Sequence, residues 1–502
     1  MKDCSNTPIT LTRQQCSRHH PTMRSLIGLV GVILALDVPA CTKTNPAFCC
    51  TSPVDCAASG LMGTSTSDCT DGFVCVDHGC TTPPPIDAAI PDASPECTID
   101  HDCAASKPFC SPERACVGCL TSDECPTAMP TCDATTSSCR TCETNSDCAS
   151  AVCDVDLGTC TAAADVIYAS PTGTGACTQL DPCSITQAFA IANASRNTIK
   201  LAAGAYTASL VVTNKTVIVE GSGATLTESG NTSTFTVNDN ATVRIHGLTI
   251  VNDVSVSGRQ IGVQCLDPSA MARPILTLIG VTVDSTGEPI LADNCELNIS
   301  QSLIHSRSNS TGTFLVFVSN SDVVANRTVF DGGDAIESDG GIMRITNSVI
   351  SNQTGVDGAF VGGGGGAVDV SFSTIVNSEV RCNVSGLAVC TGTSANGVCV
   401  DNSIIVYTNG NPPSDMVTGA ACTFRSTLVF PQSAVLPGLA DPSNKIGVDP
   451  QLTDPANGNF HLRSTSPAID AADPLATNMI DFDGTMRPIG LHADTGAFEF
   501  HP

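Results

Sequence analysis

The chain has 502 residues, enough for several domains, and 41% of them are apolar, so at least one large core can form. Trp is absent and aromatics make up 4%, which makes that core aliphatic. A formal net charge of −27 argues against nucleic-acid backbones and anionic membrane surfaces as partners, and admits polyuronates only where calcium bridges the like charges.

Residues 1–22 carry no organised pattern. Met23-Arg24 followed by the apolar run Leu26–Leu36 has the charged start and short apolar core of a secretion signal, with Met23 as its start. The run is too short to span a bilayer. It ends Val38-Pro39-Ala40-Cys41, which is similar to a bacterial lipobox; the resemblance implies lipidation at Cys41, and the alternative is ordinary cleavage after Ala40. Residues 1–40 are therefore read as an upstream segment and signal. Residues 41–96 are read as a Cys-rich stretch ending in the linker Thr81–Glu96, which is rich in Pro, Ala and Asp.

The 29 cysteines imply an oxidising compartment. Past Cys41 they fall into even groups: six in 49–80, twelve in 97–160, Cys177 with Cys183, Cys265 with Cys295, and four in 382–422. Even counts in each block predict local disulfides, although sequence does not fix their connectivity. Residues 97–161 contain three modules of four cysteines, each opening Cys-x5-Cys with an acid before the second Cys (Asp102, Glu124, Asp147). Units this small rely on cross-links rather than on a core. The Cys-x-x-Cys pairs at Cys116/Cys119 and Cys139/Cys142 are read as junctions between modules, not as zinc ligands, because His is scarce nearby. The modules resemble Cys-rich surface repeats of predatory and soil bacteria, which implies a stalk.

The remaining chain is organised by one recurring phrase, clearest in Met343–Asn352 (MRITNSVISN). Eight copies centre on Gly247, Gly280, Gln301, Asn326, Asn347, Phe372, Asn402 and Arg425, spaced 33, 21, 25, 21, 25, 30 and 23 residues apart. A period in the twenties predicts stacked coils rather than one closed core. Two residues before each centre stand Ile245, Leu278, Ile299, Val324, Ile345, Val370, Val400 and Thr423; three after stand Ile250, Val283, Ile304, Val329, Ile350, Ile375, Ile405 and Leu428. These positions are five apart, so strict alternation would put them on opposite faces. A left-handed bend at the centre, where Gly or Asn holds five of eight positions, turns both inward. The position after the centre then builds an internal ladder of Ser302, Ser348, Ser373, Ser403 and Ser426. β-Branched flanks favour strands, and an antiparallel sandwich would not keep the columns in phase. Residues 184–194 have helical spacing and should cover the open end of the first coil.

These columns resemble the right-handed parallel β-helix of the pectin-lyase-like superfamily. The resemblance covers about Tyr168 to Phe430, within a β-helix domain read as 162–432. The fold class is therefore all-β, a right-handed parallel β-helix preceded by small disulfide-rich modules. Residues 433–502 contain Phe460-His461-Leu462, Ser466–Asp470, Asp481–Gly484, Arg487-Pro488 and Asp494–Glu499, which resemble the choice-of-anchor Q domain. They are expected to cap the last coil, with Arg487 paired to a carboxylate. Glu499 lies three residues from the last residue given, which leaves Cys41 as the anchor candidate.

The best acidic cluster is Asp331, Asp334, Glu337 and Asp339, a candidate for calcium or a ligand; its spacing is not that of an EF-hand, and the alternative is a solvated acidic turn. Basic candidates are Arg307, Arg327 and Arg344, with His305 nearby. No catalytic residue is assigned, and no cofactor beyond that calcium. The resemblance implies an extracellular or outer-membrane protein, secreted or lipid-anchored. It would bind or adhere to polysaccharide or cell-surface components, touching a membrane only through its lipid. The alternative is a polysaccharide lyase or glycoside hydrolase, since fold alone does not decide activity.

Overall fold

The computed structural model describes residues 74–76 and 79–81 as backbone, then 96–502 apart from 156, 229–232, 254–259, 270–271, 309–312, 353–359, 364–365, 383–396, 410–414, 420–421 and 435. The secretion signal, Cys41 and most of the first Cys-rich stretch and linker lie outside these residues. Met1–Gly118 and Cys119–Pro502 are two compact units.

In the first unit, Val74–Val76 pairs antiparallel with Gly79–Thr81, and the first module closes with Cys97–Cys110 and Cys103–Cys116. The second and third modules repeat that first-to-third, second-to-fourth pattern: Cys119–Cys132, Cys125–Cys139, Cys142–Cys153 and Cys148–Cys160. The acid before each second Cys caps a single helical turn. Asp102 accepts from the Thr98 N–H at 2.8 Å, Glu124 from that of Leu120 at 2.6 Å, and Asp147 from that of Glu143 at 2.9 Å. The Glu143 N–H, with that of Thr144 and Arg140 behind it, is the main reason Asp147 falls to about 2. The module cysteines that crowd together are thus disulfide-bonded, not thiolate ligands. Arg140 bridges to Asp147, and the third module docks on the first coil through Val152, Val166 and Tyr168, whose hydroxyl donates to the Ser150 carbonyl at 2.9 Å. Within the second unit, the third module is thus packed against the first coil of the β-helix.

The β-helix has three parallel faces. The first runs from Val166–Ala169 through Thr242–His246 and Ile275–Ile279 to Cys422–Arg425. The second has eleven strands among the described residues, from Gly204–Thr207 to Lys445–Ile446. The third runs from Leu210–Thr213 through Phe235–Asn238, Ile261–Leu266 and Glu288–Asp293, and merges with the first in the long strands Val316–Asn326 and Ile336–Thr346. Each coil turns from first to second face at a residue with positive φ, as expected at Gly247, Gly280, Gln301, Asn347, Phe372 and Asn402. Cys177–Cys183 and Cys265–Cys295 pair as expected, and Cys399 and Cys422 are also disulfide-bonded. Ile185–Ile191 forms the expected helix, capped by Ser184, with Ile185, Ala188 and Phe189 turned into the core.

Two coils are shifted by one residue. The bends are Arg327 and Ser426, not Asn326 and Arg425. Strand pairing sets Ile299 against Ala325 and Val400 against Phe424, so Ala325, Phe330, Phe424 and Val429 point inward instead of Val324, Val329, Thr423 and Leu428. Asn tolerates positive φ well, but side-chain burial decides the register. The corrected inner columns are fully buried.

The internal hydroxyl ladder is Ser302, Thr328, Ser348, Ser373, Ser403 and Thr427, replacing Ser426 and adding one coil. Each hydroxyl donates to the carbonyl two residues back. Ser348, Ser373 and Ser403 accept from the N–H of Thr328, Ser348 and Ser373, each at 3.1 Å. The tight bend leaves these amides without a strand partner, and the hydroxyl of the next coil satisfies them. Ser348→Ala should therefore strand the buried Thr328 N–H and cost about 1–3 kcal/mol in urea denaturation. A change under about 0.5 kcal/mol would mean the ladder is incidental.

The C-terminal segment does not simply cap the end. Pro437–Ile446 completes the last coil, with Leu439 buried and Lys445-Ile446 paired to Leu428-Val429. The chain then folds back along the flank. It reaches the bends of five coils: Arg327 donates to the Phe482 carbonyl at 2.7 Å, Asn347 meets Asn478, Arg487 lies over the Phe372 ring at 4.9 Å, the Gly496 N–H donates to the Asn402 carbonyl at 2.9 Å, and Thr495 reaches the Ser426 carbonyl at 3.4 Å. The reason is the outer surface of the second face. Its early coils present Thr249 and Thr282, whereas the later ones present buried Val349, Ile404 and Leu428, which need a cover.

Candidate functional site

The second face carries one polar column across four successive coils: Asp284, His305, Asp331 and Ser351, neighbours by strand register. Alternation points all four away from the core. His305 Nδ1 lies 3.0 Å from Asp284 Oδ1, and its Nε2 lies 3.6 Å from Asp331 Oδ2. Arg307 donates through Nε to Asp284 at 2.9 Å and bridges to Asp253 at 2.8 Å. At the other end, Asp331 Oδ1 accepts from the Ser351 hydroxyl at 2.6 Å and from the Asn352 amide at 2.7 Å.

The order of this column limits its chemistry. A serine nucleophile needs a base against its hydroxyl, with a carboxylate beyond the base. Here the acid stands between serine and histidine, so Ser351 donates to Asp331 and is not activated by His305. The arrangement orients polar groups; it does not build an acyl-transfer nucleophile.

Asp331 opens onto a cleft of about 360 Å3 between this face and the folded-back segment. One wall holds Val329, Val349, Ser351, Asn352, Val376 and Asn377, with Asn409 at the edge; the other holds Pro455, Ala456, Gly458, Phe460, Phe482 and Phe498. Asn352 and Asn377 both have positive φ (58° and 53°) at the ends of adjacent strands, which turns the chain there. Phe482 and Phe498 lie 5.1 Å apart, and the His461 ring sits 4.3 Å from Phe498.

The aromatic wall is held by the motif residues. Arg487, with a fully buried side chain, donates to Glu499 at 3.1 Å and to the carbonyls of Asp494 and Gly496, both at 2.8 Å. Glu499 also accepts from the N–H of Ile489 and Asp494, and Asp481 from that of Glu499. Gly496 has φ of 104°, and a Cβ there would meet Ile404 at 2.7 Å, so the close approach to the β-helix requires glycine. Burial pushes Asp494 up to about 6, against the pull of the Asp470 and Phe500 N–H groups. The folded chain therefore holds a proton that the unfolded chain, near 3.8, has released. The stability this supplies is complete below about 3.8 and is lost as pH rises through about 6. Relative to the native chain, Asp494→Asn should gain stability across that window and change no further above it. Parallel denaturation midpoints at all pH values would refute this.

The four sequence-predicted acids are not gathered. Asp331 lies on the second face, Asp334 is buried in the turn that follows, and Glu337 and Asp339 alternate outward on the third face beside buried Ile336 and Ser338. Arg307 is committed to Asp284 and Asp253, and Arg327 sits at its bend against Phe482. Only His305 meets Asp331 as a predicted basic neighbour. A second acidic pair was not anticipated. Asp369 and Asp401 stand on adjacent coils of the first face, near Arg344 and Arg425; burial, then the charge of Asp401, raises Asp369, and burial raises Asp401 despite Arg425 at 3.4 Å. The Asn and Phe residues of the cleft were also missed, although the late apolar outer column and the C-terminal phenylalanines were visible signals.

No family model matches the chain, and no curated protein does. Among solved structures it is similar to the pectate lyase Pel9A, at 14% identity and a TM-score of 0.49, over 67% of this chain and 96% of that one. It is also similar to the deglycosylated pectin methylesterase from Aspergillus niger, at 10% identity and a TM-score of 0.27, over 58% and 88%. Likeness at these levels carries no argument about activity. The strand registers carry the fold. This chain is a right-handed parallel β-helix.

Proposed function

We propose that this β-helix is an extracellular binding protein, with the flank cleft as its ligand site, and that it does not act as an enzyme there. The observation carrying this is the cleft itself: amides and an acid on a rigid strand face, an aromatic wall opposite, and a serine–acid–histidine order that activates no nucleophile. Disulfides in modules and coils support an oxidising location. Attachment through a lipid at Cys41, presentation at the cell surface in the manner of choice-of-anchor Q proteins, and adhesion through the β-helix belong to the same reading. Mass spectrometry of the mature N-terminus checks the lipid. A broad polysaccharide panel checks the rest: binding without new reducing ends or unsaturated products supports it, and turnover sinks it.

The raised acid pair Asp369 and Asp401 favours a second reading, a polysaccharide hydrolase or lyase working on the first face. Asp401→Asn separates the two. It should leave binding at the cleft intact under the first reading and abolish turnover under the second.

A further inference from the structure

We infer that the flank cleft selects neutral, hydroxyl-rich saccharides and rejects uronates, with Asp331 as the residue that enforces the rejection; this rests on the cleft being a binding site at all. The argument starts from charge. Among the described residues, Asp331 is the only acidic or basic one lining the cleft, and no Arg or Lys lines it. Of the neighbouring basic groups, Arg307 is paired with Asp284 and Asp253, Arg327 donates to the Phe482 carbonyl and is not among the lining residues, and His305 lies against Asp331 itself. A carboxylated sugar entering here would face an acidic side chain with no Arg or Lys among the described lining residues, in a chain whose formal net charge is −27. Unpaired charge in a partly desolvated site is costly, so an anionic ligand is disfavoured by the site as built.

The remaining chemistry suits a neutral ring. Asn352, Asn377 and Asn409 line it with amides: Asn377 Oδ1 already accepts from Thr408 and offers its NH2, Asn352 donates to Asp331 and offers its carbonyl oxygen, and Asn409 adds a third amide, which together match hydroxyls that donate and accept. Phe460 and Phe482, with the buried Phe498 packed against Phe482, offer apolar surface for the C–H face of a pyranose, a role the missing Trp cannot fill. Asp331 Oδ1 is already occupied by Ser351 and Asn352, which fixes the carboxyl and leaves Oδ2, 3.6 Å from His305 Nε2, as an acceptor for a ligand hydroxyl. At about 360 Å3 the cleft is near the small end of the ~300–1,000 Å3 range of ligand pockets, so it takes one or two rings rather than a long segment.

The test is calorimetric titration of the intact protein with cellobiose, mannobiose and xylobiose against digalacturonate, with and without EDTA. The expected result is binding of at least one neutral disaccharide, unchanged by EDTA, and at least about ten-fold weaker binding of digalacturonate. Asn409→Ala, at the edge of the cleft, should weaken the neutral ligand several-fold. Asp331→Asn should raise digalacturonate affinity while the neutral ligand changes less. Digalacturonate binding as tight as the neutral sugars, or tight only with calcium present, overturns the selectivity and leaves the cleft a binding site. Binding of none of the four, in native chain and variants alike, overturns the site reading as well.

Discussion

Arg487→Ala should be among the most destabilising single changes in this protein, at about 3–5 kcal/mol, because it leaves a buried carboxylate without its cation. Arg487 ties together three parts of the folded-back segment, through Glu499 and the carbonyls of Asp494 and Gly496, and covers the Phe372 ring at one bend. Burial lowers its pKa while Glu499, Asp481 and Asp494 support the charge, so removing it leaves Glu499 buried with only the Ile489 and Asp494 N–H groups to stabilise it. Lysine will not substitute, since one ammonium cannot reproduce a fork aimed at three acceptors. The loss should be local: protease should cut within 448–502 first, while the β-helix resists. Arg487→Met combined with Glu499→Gln should recover part of the loss, because the orphaned charge is gone. An unchanged urea midpoint for Arg487→Ala would show that this knot does not hold the segment. The same variant should also weaken any cleft ligand, since Phe482 and Phe498 stand on the segment it anchors.

The inner columns were legible in the sequence because a solenoid repeats its burial pattern at every coil. Six of the eight bends fall where Gly, Asn or an isolated residue interrupts the aliphatic pattern. The two displaced coils show why residue preference is weaker than burial. Asn326 precedes Arg327, and asparagine is the commoner occupant of a left-handed bend, yet Arg327 takes it at φ of 54°. In that coil both registers offer apolar residues, Val324 with Val329 or Ala325 with Phe330, so sequence gives no decision. In the last coil it does: the register centred on Arg425 put polar Thr423 in an apolar column, and the shift to Ser426 brings in Phe424. The third face stayed out of view because its strands lie in the stretches between copies of the repeated phrase, as Ile261–Leu266 does between the copies centred on Gly247 and Gly280. The cleft was hidden for a different reason. It forms between residues about 100 apart, such as Val349 and Phe460, and no local pattern links them. What could be read was the need for a cover, since Val349, Ile404 and Leu428 replace the threonines of earlier coils on the outer face. The acidic run Asp331 to Asp339 misled by proximity: it turns a corner, and alternation sends its members to two faces.

The corrected register makes the second large prediction. Phe330 lies in the inner column between Ile304 and Ile350 and is fully buried. Phe330→Ala should cost about 3–5 kcal/mol, the transfer of a ring plus the cavity it leaves in a tube that cannot collapse around it. Val324 is 45% exposed on the outside of the same coil, so Val324→Ala should stay within about 0.5 kcal/mol. A register one residue earlier reverses the ranking, because a single slip exchanges every inward and outward side chain of the strand. Urea denaturation of the two variants therefore reads the direction of the side chains in solution. If Val324→Ala proves the more damaging, the bend is at Asn326, Arg327 no longer turns outward to the Phe482 carbonyl, and the clamp between this coil and the C-terminal segment is lost with it. If Phe330→Ala proves so, the coil is set as described, and the bend at Arg327 is one of the five points where the C-terminal segment is fastened to the β-helix.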